Sequence, residues 1–143
     1  MEAIFVGITI AAFGAYFAYR AVQKKRYTDA ADKFRSIVTG TLKDLYSISG
    51  DIKWPDSNFD ITVVLASYYP TLSAAVTDYA DITKNRKAFL EDWDIYRGKY
   101  GIWKGKDQDY MQYTGADFDG LPIEPREKIF HKNVTNLLKH SKT

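Results

Sequence analysis

The sequence is organised around a run of seventeen residues, Ala3 to Tyr19, that carries no charged side chain. An uncharged run of this length is at the lower limit of what crosses a bilayer as a helix. Four basic residues follow it: Arg20, Lys24, Lys25 and Arg26. A basic side chain at the end of such a run can extend to the headgroups, which lengthens the usable span. We therefore expect residues 1–26 to be a transmembrane anchor with a basic stop.

The charges on either side of this run predict its orientation. Only Glu2 precedes it, whereas all four basic residues follow it. The positive-inside rule then places the N-terminus outside and the C-terminal domain in the cytoplasm. A cleaved signal peptide, which would begin with positive charge, and a buried core helix are the alternatives.

One face of the predicted anchor carries small residues at steps of three and four: Gly7, Ala11, Ala15 and Ala18. Small side chains at this spacing allow two membrane helices to approach closely. They form a candidate helix-association face, although Ala and Gly are also common in membrane spans of every kind.

Residues 27–143 are enough for one hydrophobic core, and we predict a mostly α-helical cytoplasmic domain. The formal net charge of +2 gives no general reason to expect nucleic-acid binding. The absence of cysteine excludes disulfides and thiolate chemistry. Eleven Tyr, eight Phe and three Trp suit a packed domain or an interaction surface.

Apolar spacing predicts the helices of this domain. The first continues from the anchor to about Tyr46, and turn residues dominate positions 47–58. We expect a short helix over Phe59–Tyr69, and a separate helix that starts at Pro70, a favourable first-turn residue. Another helix covers Asn85–Arg97 with Gly98 as its C-cap. The last helix begins near Pro125, with five apolar residues on one face: Ile129, Phe130, Val134, Leu137 and Leu138.

Between these last two helices, residues 98–125 lose their periodicity and are rich in glycine and aspartate. Segments this long without regular structure are uncommon in compact domains. Because this one also holds many aromatic residues, we expect it to pack against the helices.

No catalytic motif or cofactor-binding motif is present, and we predict no cofactor. The two histidines, His131 and His140, are expected on opposite sides of the last helix as surface residues. Asp107 and Asp109 begin like a calcium loop, but Met111 and Gln112 break that pattern. Solvated loop carboxylates are the ordinary interpretation, and an irregular cation site is the alternative.

Aromatic and basic residues alternate around the end of the third predicted helix. Four of the aromatic residues define a candidate partner surface: Trp93, Tyr96, Tyr100 and Trp103. Such residues are most often core residues with solvated neighbours. A protein partner or a lipid surface is the functional alternative, and single-stranded nucleic acid is the least favoured.

The chain resembles a loosely defined group of short, uncharacterised, single-pass bacterial membrane proteins. Two helix motifs carry the resemblance: Ala30, Ala31, Phe34 and Arg35 in the first, and Phe130, Asn133, Val134, Leu137 and Leu138 in the last. The resemblance implies the bacterial inner membrane and a helical domain, and it implies no activity.

The leading functional hypothesis is an inner-membrane-anchored interaction or accessory subunit without catalytic activity of its own, with the lipid bilayer and another protein as partners. A small membrane-tethered enzyme is a second hypothesis, with Glu91, Asp92 or Asp107 in acid–base roles. A homo-oligomeric membrane effector that associates through its small-residue face is a third.

Overall fold

The computed structural model describes residues 2–46, 54–55, 58–99, 109–114 and 125–142, with the side chains of 2–10 and 58–60 left out of the description. These residues are mostly helical, as predicted. The elements are α1 (Glu2–Thr41), α2 (Asn58–Ala80), α3 (Arg86–Arg97), a short 3-10 helix (Met111–Tyr113) and α4 (Arg126–Lys139).

Helix α1 runs without interruption through the predicted boundary at residue 26. It ends five residues before the predicted position, where Leu45 and Tyr46 both donate their backbone N–H to the carbonyl of Leu42. The apolar stripe of its second half packs in the core, with Ala31, Phe34 and Val38 buried and Ile37 partly buried. Within the described part of the chain, no helix combines the length and the apolar character needed to cross a membrane.

Helix α2 corrects one prediction: Pro70 lies inside a single continuous helix and does not start a second one. A proline inside a helix removes one backbone hydrogen bond and costs roughly 3 kcal/mol. The cost is offset because the apolar residues on both sides of Pro70 share one face, so the unbroken helix buries them all. These are Ile61, Leu65, Leu72, Val76 and Tyr79. Pro70 itself is exposed, on the side away from this packing.

Helix α3 begins and ends where the sequence predicts. The side chain of Asn85 accepts a hydrogen bond from the backbone N–H of Ala88 at 3.1 Å, which caps the N-terminus. Gly98 adopts φ 80° and ψ 28°, the left-handed conformation typical of a glycine C-cap. Phe89, Trp93 and Tyr96 are buried along the inner face.

The four helices pack as an up-and-down bundle, in which α1 contacts α2, α2 contacts α3, and α3 contacts α4. Phe34 of α1 stacks on Tyr79 of α2 with ring centroids 4.8 Å apart, and Phe89 meets both rings edge-on. Tyr46, just beyond α1, stacks on His131 of α4 at 4.7 Å, so α4 runs antiparallel to α1.

A second aromatic cluster joins α3, α4 and the 3-10 helix. Phe130 meets Tyr113 edge-on at 5.4 Å, and Tyr96 lies 6.0 Å from Phe130. Tyr110 and Tyr113 are fully buried, so this part of the predicted irregular segment does pack on the helices. Tyr100 and Trp103 lie outside the described residues.

Candidate functional site

Residues 11–26 of α1, here called the arm, extend beyond the bundle. Every residue of the arm is exposed, whereas burial begins at Tyr27. Five large apolar or aromatic side chains of the arm are between 54% and 66% exposed: Phe13, Tyr16, Phe17, Tyr19 and Val22. A continuous set of exposed apolar side chains indicates a surface that another molecule or a lipid phase covers.

The candidate helix-association face is on the side of the α1 helix opposite to the side that packs in the bundle. At about 100° per residue, Ala11, Ala15 and Ala18 point roughly opposite to Phe34 and Val38, which face the core. A methyl group added at Gly14 would meet no atom within 4 Å. This face is therefore open on the described part of the arm, and Gly7 lies outside the described side chains.

The four basic residues predicted to flank the anchor are all exposed, and they divide between two sides of the arm. Arg20 and Lys24 lie on the side that continues into the core-facing stripe of α1, and Lys25 and Arg26 point away from it. The guanidinium of Arg20 lies 5.8 Å from the centre of the Tyr16 ring.

The end of the bundle next to the arm is closed by a polar cluster around Tyr27. The Tyr79 hydroxyl donates to the backbone carbonyl of His140 at 2.6 Å, and the Tyr27 hydroxyl donates to the same carbonyl at 3.2 Å. Burial, followed by the hydrogen bond with Tyr27, raises the pKa of Tyr79 far above its ordinary value. The Tyr79 phenol therefore stays a neutral donor across the physiological range. The two hydroxyls tie the C-terminus of α4 to α1 and α2.

The His140 side chain is mostly buried in a contact with α3, which corrects the prediction that it is a surface residue. Its Nε2 lies 2.6 Å from Oδ2 of Asp92 on α3, and the side chains are 10% and 13% exposed. Nζ of Lys139 lies 3.1 Å from the same oxygen. Because the two residues are 48 positions apart in the sequence, no local pattern predicts this pairing. Asp92, a candidate acid–base group, thus engages two basic side chains.

An open notch of about 570 Å³ lies between the arm and the turn that joins α2 to α3. Three cationic side chains line it: Arg20, Lys24 and Lys84. Phe17 and Ala21 form its apolar wall, and Tyr27 lies at its inner end. Nζ of Lys84 lies 4.8 Å from the centre of the Tyr27 ring, which holds the turn against the base of the arm.

The described half of the predicted partner surface is part of the core. Trp93 is 6% exposed and Tyr96 is fully buried. They face inward because they lie on the stripe of α3 that packs in the bundle. Trp93 stacks between Tyr96, at 5.3 Å, and Tyr69 of α2, at 6.2 Å. A partner surface at these two positions is therefore not available in this fold.

Arg97 links this aromatic stack to the residues beyond α3. Its guanidinium lies 5.2 Å from the Tyr69 ring, and its Nε donates to Asp109 Oδ2 at 2.7 Å. Nζ of Lys99 lies 2.7 Å from the other carboxylate oxygen of Asp109. Burial acts to raise the pKa of Asp109, but the hydrogen bonds from Arg97 and Lys99 outweigh it and hold the pKa below its usual range. The described residues contain no group of acidic, His or Cys side chains that could hold a metal ion, and Asp107 lies outside them.

Comparison of the chain with protein-family models, with curated proteins and with solved structures finds no match.

Proposed function

We propose that this protein is a single-pass, membrane-anchored interaction subunit. Helix α1 holds the helical bundle next to the bilayer. The observation that carries the proposal is the arm. Its large apolar side chains are exposed and touch no part of the bundle core, and in sequence they continue the uncharged run that begins at Ala3. A bilayer would cover this surface, and the helix already satisfies its own backbone hydrogen bonds.

The charge pattern supports a cytoplasmic bundle. The four basic residues of the arm follow the uncharged run directly, and further basic residues lie at the adjoining end of the bundle: Lys84, Arg86, Lys87, Lys139 and Lys142. Both groups would face the cytoplasmic headgroups, in keeping with the positive-inside rule.

Single-cysteine variants test the anchor and its orientation cleanly, because the natural chain has no cysteine. In intact cells, an impermeant maleimide should label Glu2→Cys and should not label Ser36→Cys, an exposed position on the bundle part of α1. Ser36→Cys should become reactive after the membrane is opened. Alkaline carbonate should leave the full-length chain in the membrane pellet, and its release into the supernatant would contradict the proposal.

The interaction role is tested by pull-down of the tagged full-length protein from native membranes solubilised in a mild detergent. A second protein recovered in fixed stoichiometry supports an accessory role. Recovery of the chain alone as a defined oligomer would contradict that role and favour the homo-oligomeric hypothesis. In that case Gly7→Leu and Ala11→Leu should dissociate the oligomer, because both replace a residue of the predicted small-residue face.

A further inference from the structure

The notch between the arm and the α2–α3 turn is a place where the fold brings cations together. Lys84 is 64 positions from Arg20 in the sequence, yet both side chains line the same notch as Lys24. Lys84 lies outside the residues that flank the uncharged run in sequence, so only the fold places it beside Arg20 and Lys24.

Neighbouring carboxylates do not neutralise these three cations. Asp81 pairs with Arg86 at 2.6 Å, and Asp78 pairs with Lys33 at 3.6 Å. Asp92 pairs with the two C-terminal basic residues already described. None of the ion pairs that the described residues form involves Arg20, Lys24 or Lys84. The notch therefore presents net positive charge to whatever enters it.

The side of the notch formed by α1 carries both apolar and cationic side chains. Phe17, Arg20, Ala21, Lys24 and Tyr27 follow one another along the helix, and Phe17 lies within the uncharged run. Arg20 to Tyr27 covers about 10 Å of helix at about 1.5 Å per residue. One headgroup layer is roughly 5–8 Å thick. If residues 3–19 cross the hydrocarbon, the cations lie at the depth of the lipid phosphates.

We propose that the notch binds the phosphate of an anionic phospholipid headgroup, with Arg20, Lys24 and Lys84 as the phosphate ligands and Phe17 and Ala21 against the acyl chain. This inference rests on the proposed membrane anchor and adds a specific lipid partner to it. Basic pockets at the cytoplasmic surface of membrane helices recognise such headgroups. The volume of about 570 Å³ is within the range of small-molecule sites.

The test uses the full-length chain reconstituted into phosphatidylcholine vesicles that contain spin-labelled phosphatidylglycerol or spin-labelled phosphatidylcholine. The fraction of motionally restricted label gives the preference of the protein for the anionic lipid. Lys84→Gln should lower that preference about fivefold, which corresponds to about 1 kcal/mol for one basic residue. Lys84 is exposed and lies outside the helices, so its replacement should not unfold the domain.

Lys25→Gln is the matched control, because it removes one positive charge from the arm at a residue that does not line the notch. It should change the lipid preference much less than Lys84→Gln does. Equal losses in the two variants would mean that only the general surface charge attracts the lipid, and would overturn the proposal.

Two further measurements separate the remaining outcomes. Inorganic phosphate should not abolish the lipid preference beyond the effect of sodium chloride at the same ionic strength; if it does, the notch is a free-phosphate site and the lipid proposal is wrong. Carbonate treatment of the same vesicles distinguishes a failure of the proposed membrane anchor from a failure of the proposed lipid site. Release of the chain overturns the membrane anchor itself, whereas retention without any preference for phosphatidylglycerol overturns only the notch.

Discussion

At the scale of single residues, two polar contacts stabilise the region where α3, α4 and the 3-10 helix meet. The Tyr113 hydroxyl donates to the Tyr96 carbonyl at 2.8 Å and accepts from Asn133 Nδ2 at 3.0 Å. Both side chains are buried, so water cannot replace either bond. Asn133 was one of the residues of the terminal helix motif, but spacing alone gave no reason to place a polar residue in the core.

Tyr113→Phe should therefore lower the free energy of unfolding by about 1–3 kcal/mol, because it leaves the buried amide of Asn133 without its acceptor. Tyr46→Phe is the control: its hydroxyl meets Thr135 at 3.2 Å in an exposed pair, so its removal should change little. Urea denaturation of both variants measures the difference. Equal losses of unfolding free energy in the two variants would show that the buried hydrogen bonds stabilise the protein no more than the exposed one does.

Asp109 gives a pH-dependent prediction. Its pKa is lowered in the folded state, so its charged form contributes stability above the unfolded pKa, and that contribution is lost as the pH falls through the folded pKa. Asp109→Asn should cost about 1–2 kcal/mol at neutral pH. The difference from the natural chain should shrink once the pH falls below about 4.

Denaturation midpoints at neutral and acid pH check this expectation. Asp94→Asn is the control, because Asp94 lies 4.0 Å from the same arginine and is largely exposed. It should show little effect at either pH. A loss in Asp109→Asn that does not depend on pH would contradict the assignment of the stabilisation to the charged carboxylate.

At the scale of elements, the ends of α3 follow from local chemistry, whereas the length of α2 does not. Asn85 and Gly98 are capping residues by type, and the structure uses both as caps. Pro70 is by type a first-turn residue, but packing on both sides of it keeps α2 continuous. Local sequence signals predict a helix end correctly where only the neighbouring residues determine it. They fail where burial of a long apolar face outweighs the local cost of a proline.

Two glycines should respond in opposite directions to the same substitution. Gly98→Ala should destabilise the protein by about 1–2 kcal/mol, because φ 80° is unfavourable for any residue with a Cβ. Gly40→Ala should stabilise it by up to about 1 kcal/mol, because Gly40 is in the last turn of α1 with no atom near its added methyl. Thermal or urea unfolding measures both. A stabilising Gly98→Ala would contradict the assigned cap.

At the scale of the whole molecule, the arm and the bundle are structurally separate parts of one helix. Burial begins at Tyr27, and no residue of 11–26 is buried. Deletion of residues 2–23 should therefore leave the unfolding midpoint of the bundle nearly unchanged and should abolish membrane association.

Deletion of residues 2–31 is the control, because it also removes Tyr27 and the buried Ala31. It should lower the midpoint clearly. Circular dichroism during urea titration checks both deletions. A large loss of stability in the shorter deletion would mean that the arm packs on the bundle, and would remove the main support for its contact with lipid.

Much of this protein is determined by its sequence. Periodic apolar residues and capping residues place α1, α3 and α4, and the uncharged run with its basic stop marks the arm, because each signal depends on residues within a few turns of one another. Tertiary structure alone decided three features. It kept α2 continuous through Pro70, it paired His140 with Asp92, and it brought Lys84 beside Arg20 and Lys24. The physical reason is that tertiary packing adds what local signals lack. Burial of one long apolar face outweighs the local cost of Pro70, and the antiparallel alignment of the helices brings together side chains that are distant in sequence.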